Sequence, residues 1–345
     1  MASLSVVIVS HDSRAALATT LPALTAQLRG GDELLVVDNA SADRSAALAR
    51  ELAPAATVIE TGSNQGFSSG CNRGVDAATG ELICLLNPDA VPQPGWRDAV
   101  ERPLVEGRGW AAWQALVTAD RGTTINTRGG VVHFTGIAWA GGAGEPLGDE
   151  PGAGGGEPAF VSGACLAIER DRYLAAGGMT GEFFLYHEDV DLSLRLRLAG
   201  GRLGVESSAR VDHAYEFQKG ADKWRYLERN RWATLVRTYP GALLLAVAPA
   251  LVATELALLT VAAAGGWLPQ KLRAYAETVR ALPRLLGERR SIQRARKIGA
   301  GEFAGALTAE LDSAYLGMAG RSAVLAAGLR LYWSLVLFIL GARRS

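Results

Sequence analysis

The chain has 345 residues, of which 35 are Lys or Arg and 35 are Asp or Glu. That balance gives no electrostatic reason to expect a nucleic-acid partner, and the length suits one large α/β domain with an appendage. The three cysteines, Cys71, Cys84 and Cys165, are far apart and lack zinc-ligand spacing, so they imply neither a disulfide framework nor a Cys-based metal site.

Met1–Ser10 has no basic stretch before an apolar one, so no signal peptide is expected and the chain is expected to begin in the cytosol. Leu4–Val9 is a β-branched run bounded by Ser10-His11-Asp12-Ser13 and predicts a buried strand. Helical spacing follows over Arg14–Leu28, with a Gly30-Gly31 stop. Glu33–Val37 is strand-like and ends at Asp38-Asn39. Asp43–Leu52 predicts a helix, Thr57–Glu60 a third strand, Phe67–Ala78 a helix, and Leu82–Leu86 a fourth strand ending at Asn87-Pro88-Asp89. Strands alternating with helices indicate βαβ units and an α/β, mostly parallel sheet flanked by helices.

Ligands of such sheets lie outside the carboxyl ends of the strands. Three ends here carry polar residues: Ser10-His11, Asp38-Asn39 and Asn87–Asp89. Each alone is also an ordinary turn sequence. Together they suggest a shared polar crevice. Gly66 and Phe67 open a predicted helix, whose N-terminal N–H groups suit an anion.

Asp120–Pro158 is glycine-rich, which predicts a mobile functional loop or a disordered insert. Within it, Gly141–Gly156 could close over a bound molecule as a lid. Ala159–Ile168 is again strand-like. In Glu188–Ala199 the apolar residues alternate, as in a strand. Leucine and arginine content, the Asp191/Arg195 spacing and the Gly200-Gly201 stop favour a helix.

Four stretches occur in order: Val6–His11; Val36-Val37-Asp38-Asn39-Ala40-Ser41-Ala42-Asp43; Asn64-Gln65-Gly66-Phe67 through Asn72-Arg73-Gly74 to Asn87-Pro88-Asp89; and Gly163-Ala164-Cys165 through Phe184–Leu192 to His213. In this order the sequence resembles family 2 glycosyltransferases of the GT-A fold, and among them the rhamnosyltransferase-like members. The resemblance implies a nucleotide-diphosphate sugar donor, with dTDP-L-rhamnose suggested. It places Asp38 on the base or ribose, with Ser10, His11, Asn39 and Ser41 lining the same pocket. His11 is either a ring beside the base or a strand-end histidine without a ligand. Asn64, Gly66, Phe67 and Asn72 fall on the donor side, although Asn72 suits packing under the sheet equally well.

Transfer of the sugar builds charge on the leaving diphosphate, and a divalent cation, Mg²⁺ or Mn²⁺, is the usual counter-charge. The resemblance makes Asp89 its ligand, with Asn87 in place of a second acid, and His213 a second ligand. His133 is a weaker candidate. The acceptor hydroxyl needs a base. The resemblance identifies Asp189, with Glu188 as a hydrogen-bonding neighbour of the acceptor and Asp191 structural. A base so placed implies inversion at the anomeric carbon. Helix capping by acids in the first turn is the alternative reading of Glu188-Asp189.

The C-terminal third is different in character. Trp224–Arg237 predicts a basic, aromatic helix. Ala242–Ala264 is nearly all apolar and long enough to span a bilayer, but Pro249 and Glu255 interrupt it. Lys271–Lys297 carries nine basic residues against two acids, and Ala323–Leu340 is apolar around Arg330. Basic flanks on both sides favour helices lying in the plane of, or re-entering, an anionic cytosolic surface over a single span. A soluble helical subdomain or homodimer is the alternative. The expected layout is a catalytic domain over 1–218, with a donor half about 1–118 and an acceptor half about 119–218, and a membrane-associated helical region over 219–345. A saccharide or polyprenyl-linked glycan acceptor fits that layout. The competing classes are a sugar-phosphate nucleotidyltransferase, whose basic glycine-rich loop after the first strand is not found at Ser10–Ser13, and a non-catalytic membrane scaffold of the same fold.

Overall fold

A computed structural model describes residues 2–148, 156–213, 220, 222–312 and 322–342. In chain order the first half forms β1 (Leu4–Ser10), α1 (Arg14–Thr25), β2 (Glu33–Asp38), α2 (Ser45–Leu52), β3 (Thr57–Glu60), α3 (Gly66–Ala77), β4 (Leu82–Leu86), β5 (Ala90–Pro92), α4 (Trp96–Val105) and β6 (Trp110–Ala119). There follow β7 (Thr124–Thr127), β8 (Gly130–Val132), β9 (Ala138–Ala140), β10 (Cys165–Glu169), α5 (Arg170–Ala175), α6 (Glu188–Leu198) and β11 (Arg202–His213). The rest is helical: α7 (Asp222–Thr238), α8 (Gly241–Ala264), α9 (Leu268–Ala295), α10 (Ala300–Gly305) and α11 (Ala323–Ile339).

The main sheet has the order β3-β2-β1-β4-β10-β6-β11-β5, with β7 added beside β6. Its β3-β2-β1-β4 half is parallel, as the βαβ pattern predicts. The other half is mixed: β10 runs antiparallel to β4 and β6, and β11 is parallel to β6 but antiparallel to β5. The chain order reverses between β1 and β4, so a crevice opens at their carboxyl ends. Every residue of β1 and β4 is buried, which explains their unbroken apolar sequence. Helix α3 lies close over β1 because Gly74 has no side chain. A Cβ there would come 2.3 Å from Val7 Cγ1.

Two compact units result. One comprises residues 1–129, 140–193 and 201–215; the other comprises 130–139, 194–200 and 216–345. The division runs within α6. The first unit contains the main sheet and every sequence-predicted site residue except the weaker candidate His133. In the second, α7 packs along α9, and α8 contacts α9, α10 and α11.

Two sequence expectations change here. Over its described residues, Asp120–Pro158 is not a long open loop but contains β7, β8 and β9. Ile125 donates to the Glu145 carbonyl at 2.8 Å, and Arg128 pairs with the Glu145 carboxylate at 2.8 Å. Glycine occupies the turns between these short strands, where positive φ is needed, so a high glycine content does not mean disorder. The middle of the suggested Gly141–Gly156 lid, residues 149–155, lies outside the described residues, as does the 218/219 boundary. Helix α6 forms as expected despite its alternating apolar pattern. Residues 190–196 are all buried, so the helix has no polar face to create a 3.6-residue period.

Candidate functional site

Sheet register builds the first part of the site. Ser10 and Asp38 are paired neighbours at the ends of β1 and β2. The Asn39 amide donates to the Ser10 carbonyl at 2.7 Å, continuing the ladder one step into the crevice. Asp38 accepts the Ser41 N–H on Oδ2 at 3.1 Å. Its Oδ1 and the Ser10 hydroxyl are buried and have no hydrogen-bond partner among the described residues. Two adjacent buried polar atoms without partners call for a bound group to satisfy them.

Around this pair the strand-end residues hold one another. His11 Nδ1–H donates to the Asn39 carbonyl at 2.9 Å, which turns the exposed imidazole along the β2 end. The Ser41 hydroxyl accepts the Asp12 N–H at 3.0 Å. Asn39 is buried and ties two elements together: its amide donates to the Gly66 carbonyl at 2.8 Å, and its Oδ1 accepts from Thr61 and from the Gln65 N–H. Asn64 is exposed and accepts the Gly66 N–H on its side-chain oxygen at 3.0 Å.

The start of α3 departs from the sequence expectation. The Phe67 N–H does not face an open anion site; it donates to the Phe184 carbonyl at 2.7 Å, while the Gly66 N–H is taken by Asn64. Gly66 is required for this approach. It has φ +82°, and a Cβ would lie 2.5 Å from the Phe184 carbonyl oxygen. Of the two readings of Asn72, packing accounts for its contacts within the fold. Its amide nitrogen donates to the Met179 carbonyl at 2.7 Å, and its oxygen accepts from the Tyr173 hydroxyl at 2.7 Å and the Met179 N–H at 2.9 Å. Asn72 therefore pins the 178–179 turn to α3. A helix N-terminus and an asparagine attract such readings because nothing local in the sequence reveals a distant segment folding back onto them.

The second part forms around Asn87-Pro88-Asp89. The Asn87 N–H donates to the Ala164 carbonyl at 3.0 Å, joining the end of β4 to the entry of β10. Strand β11 pairs with β5 so that His213 lies opposite Ala90, next to Asp89. His213 Nε2 is thereby 3.0 Å from Asp89 Oδ1 and 3.5 Å from Asn87 Nδ2. A carboxylate, an imidazole and a carboxamide converge there, though residues 89 and 213 are 124 apart in sequence. No group of three or more His, Cys, Asp or Glu suited to a metal occurs among the described residues. His133, the weaker candidate, is buried, with Nδ1 2.7 Å from the Thr135 hydroxyl. Burial lowers its pKa to about 4, as for an imidazole kept neutral in the interior.

The third part is the acidic pair at the start of α6. Glu188 is buried, with Oε2 unpartnered among the described residues. Burial, and then the adjacent Asp189 charge, push its pKa well above the carboxylate range. Asp189 is half-buried and also raised by burial. The Gly163 N–H at 3.1 Å and the Val190 N–H at 2.8 Å hold it back. Burial thus raises both acids, Glu188 the more strongly, while two N–H groups favour the charged form of Asp189. Asp191, expected to be structural, is fully buried and accepts the Thr180 hydroxyl at 3.0 Å. The segment leading into the pair has positive φ at Phe184 (64°), Tyr186 (70°) and His187 (66°). Each costs about 1–3 kcal/mol for a non-glycine residue, so the surrounding packing must impose them.

These parts are continuous through Gly163. A Cβ there would lie 3.3 Å from the Phe67 ring and 3.9 Å from Asp189 Cβ, and the next residue, Ala164, holds Asn87. Phe184 and the backbone of Gly163 and Ala164 are the site elements sequence reasoning missed as such. Gly163-Ala164 stood in the matching stretch, but their part is played by main-chain atoms, which leave no side-chain signature.

Residues 5–134 match the family model for Glycosyl transferase family 2. The chain is 26% identical over 228 residues to the N-acetylglucosaminyl-diphospho-decaprenol L-rhamnosyltransferase of Mycobacterium tuberculosis (strain ATCC 25618 / H37Rv), covering 59% of this chain and 73% of the relative. Among solved structures it resembles mannosyltransferase PcManGT from Pyrobaculum calidifontis in complex with GDP-Man and Mn²⁺ (TM-score 0.51, 18% identity, 85% of this chain and 86% of that one). It also resembles S. aureus TarS 1–349 (TM-score 0.50, 12% identity, 99% and 92%). A third likeness is to GalNAc-T7 with UDP, GalNAc and Mn²⁺ (TM-score 0.55, 14% identity), where 70% of this chain spans about half, 49%, of that one. The fold is GT-A, and the enzyme class is glycosyltransferase.

Proposed function

We propose that this glycosyltransferase, with its family 2 domain over residues 5–134, moves a sugar from a nucleotide-diphosphate donor to a hydroxyl of a saccharide on a polyprenyl-linked glycan, inverting the anomeric carbon. The observation that carries the reading is the acidic pair at the start of α6, where half-buried Asp189 is held by the Gly163 and Val190 N–H groups beside buried Glu188. Asp189 takes the proton from the attacking hydroxyl. Glu188 hydrogen-bonds the acceptor and orients it. The nucleotide lies along the ends of β1 and β2, where Ser10 and Asp38 hold unsatisfied polar atoms; His11, Asn39, Ser41 and Asn64 line that edge.

A divalent cation, Mg²⁺ or Mn²⁺, would be held by Asp89 with Asn87, because carboxylate and carbonyl oxygens suit such ions, and the imidazole of His213 as a further ligand favours Mn²⁺ over Mg²⁺. Two strong ligands leave room for diphosphate oxygens. When bound, the cation supplies counter-charge to the leaving diphosphate. The name of the mycobacterial relative favours L-rhamnose as the sugar and a polyprenyl diphosphate as the acceptor carrier. Residues 1–218 then do the chemistry, with donor contacts before about 118 and acceptor contacts after it.

The proposed setting is the cytoplasmic face of a membrane, where a lipid-linked acceptor meets a nucleotide-sugar donor. Helix α8, with 24 residues, is long and apolar enough to cross a bilayer, and its outward face includes Leu245, Val252 and Leu256. Its one acid points inward with Leu243, Val247 and Leu251: Glu255 pairs with Lys271 at 3.0 Å and with Arg231. That removes the objection Glu255 raised to lipid contact. Thermal stabilisation by a panel of nucleotide sugars with Mn²⁺ tests the donor. Transfer from dTDP-L-rhamnose to a polyprenyl-diphosphate acceptor, with the product's anomeric configuration read by NMR, tests the rest. Retention at the anomeric carbon, or stabilisation by no nucleotide sugar, overturns the reading.

A further inference from the structure

We propose that the outward face of α9 is a docking surface for an anionic lipid bilayer. The proposal rests on the membrane reading above and narrows it to one helix and one lipid charge. Leu272, Val279 and Leu286 recur every seven residues and are 52%, 68% and 41% exposed. Seven residues turn an α-helix to within about 20° of two full turns, so the three side chains form one line. Arg273, Arg280 and Arg294 occupy the neighbouring line, and all are exposed. None of the three makes an ion pair among the described residues.

The acids of α9 are engaged by arginines. Glu277 pairs with Arg225 at 2.8 Å and Arg229 at 3.4 Å, both on α7. Glu288 pairs with Arg237 of α7 at 2.8 Å and with Arg284 at 2.7 Å. The inner face is equally committed: Lys271, Ala274 and Leu285 are buried, and Arg289 donates to the Val236 and Tyr239 carbonyls at 2.7 and 2.6 Å. What faces outward is a stripe of aliphatic side chains beside a stripe of guanidinium groups.

Water alone gives no reason for this arrangement, since a solvated helix face mixes both signs and exposes few large aliphatics. An anionic bilayer surface satisfies both stripes. The aliphatic residues enter the boundary of the acyl chains, and the arginines reach lipid phosphates while their stems cover apolar surface. A nucleic acid would engage the arginines but leave the leucines wet.

Flotation of the full chain with phosphatidylcholine vesicles, with and without phosphatidylglycerol, tests this. Wild-type protein should partition more strongly onto the anionic vesicles, and high salt should reduce the difference. The combined variant Arg273→Ser, Arg280→Ser, Arg294→Ser should lose roughly 100-fold of that partitioning while still turning over a water-soluble acceptor analogue. Leu272→Ser with Val279→Ser should weaken binding to both vesicle types. Equal partitioning of wild type onto the two vesicle types overturns the proposal. So does unchanged anionic binding by the arginine variant, or a detergent-free dimer by sedimentation that this variant dissolves. Vesicle binding that persists in the arginine variant leaves membrane association standing and sinks only the role of α9. Charge-selective binding without transfer to a polyprenyl acceptor sinks the function and spares the surface.

Discussion

Two buried clusters of acids stand in contrast. At the start of α6, Glu188 lies beside Asp189, and N–H groups are the donors that reach the pair. Between α7, α8 and α9, Glu228 and Glu255 are enclosed by Arg231, Lys271 and the Tyr275 hydroxyl. Burial raises the pKa of Glu228, but Arg231 and Lys271 outweigh it and hold it below the ordinary value. Burial raises Glu188 too, and Asp189 adds to the rise. Equal burial therefore has opposite outcomes. The helical cluster is neutral as a whole and serves the fold. The α6 pair has N–H donors in place of basic side chains, the setting proposed above for the acceptor's proton.

The largest effect expected from breaking this contrast falls on the α6 pair. Asp189→Asn should lower turnover by roughly 10²–10⁴-fold, while donor-induced thermal stabilisation stays near wild type. A variant with full turnover would remove Asp189 from the chemistry. On the other side, Lys271→Met leaves two carboxylates against one guanidinium and should cost about 3–5 kcal/mol in urea unfolding. A loss below about 1 kcal/mol would mean the helical cluster is not the balanced unit its geometry indicates.

Asp89→Ala and His213→Ala should each weaken Mn²⁺-dependent donor binding by roughly 10–100-fold, read by titrating donor at fixed metal. Donor affinity that ignores Mn²⁺ in the wild type would reject the cation. The smallest effect is on stability against pH for Glu188→Gln. The native state holds a proton on Glu188 that the unfolded chain releases, so its contribution is present below the ordinary glutamate pKa and is lost as pH rises through the raised native value. Glu188→Gln should flatten that decline and be the more stable protein at the alkaline end, by no more than the about 1–3 kcal/mol of a buried polar group without a partner. Parallel curves for the two proteins would mean Glu188 is not held protonated.

The sequence alone determined the parallel half of the sheet, because β1, β2 and β4 are unbroken apolar runs that end in polar residues, and both the run and its end are local. It likewise singled out Asp38 and Asp89, since a carboxylate at a strand end is visible in one dimension, while Glu188 and Asp189 were marked by the family resemblance. Only the tertiary structure decided how those positions are used. Sheet pairing brought His213 onto Asp89 across 124 residues. The return of Phe184 to the Phe67 N–H closed the helix end that looked open to an anion. Met179 and Tyr173 claimed Asn72. Glu255, which reads as a flaw in an apolar segment, proved to point inward to Arg231 and Lys271. A hydrogen-bond partner distant in sequence has no local periodicity to announce it, and burial, which raises the pKa of Glu188, depends on everything packed around it.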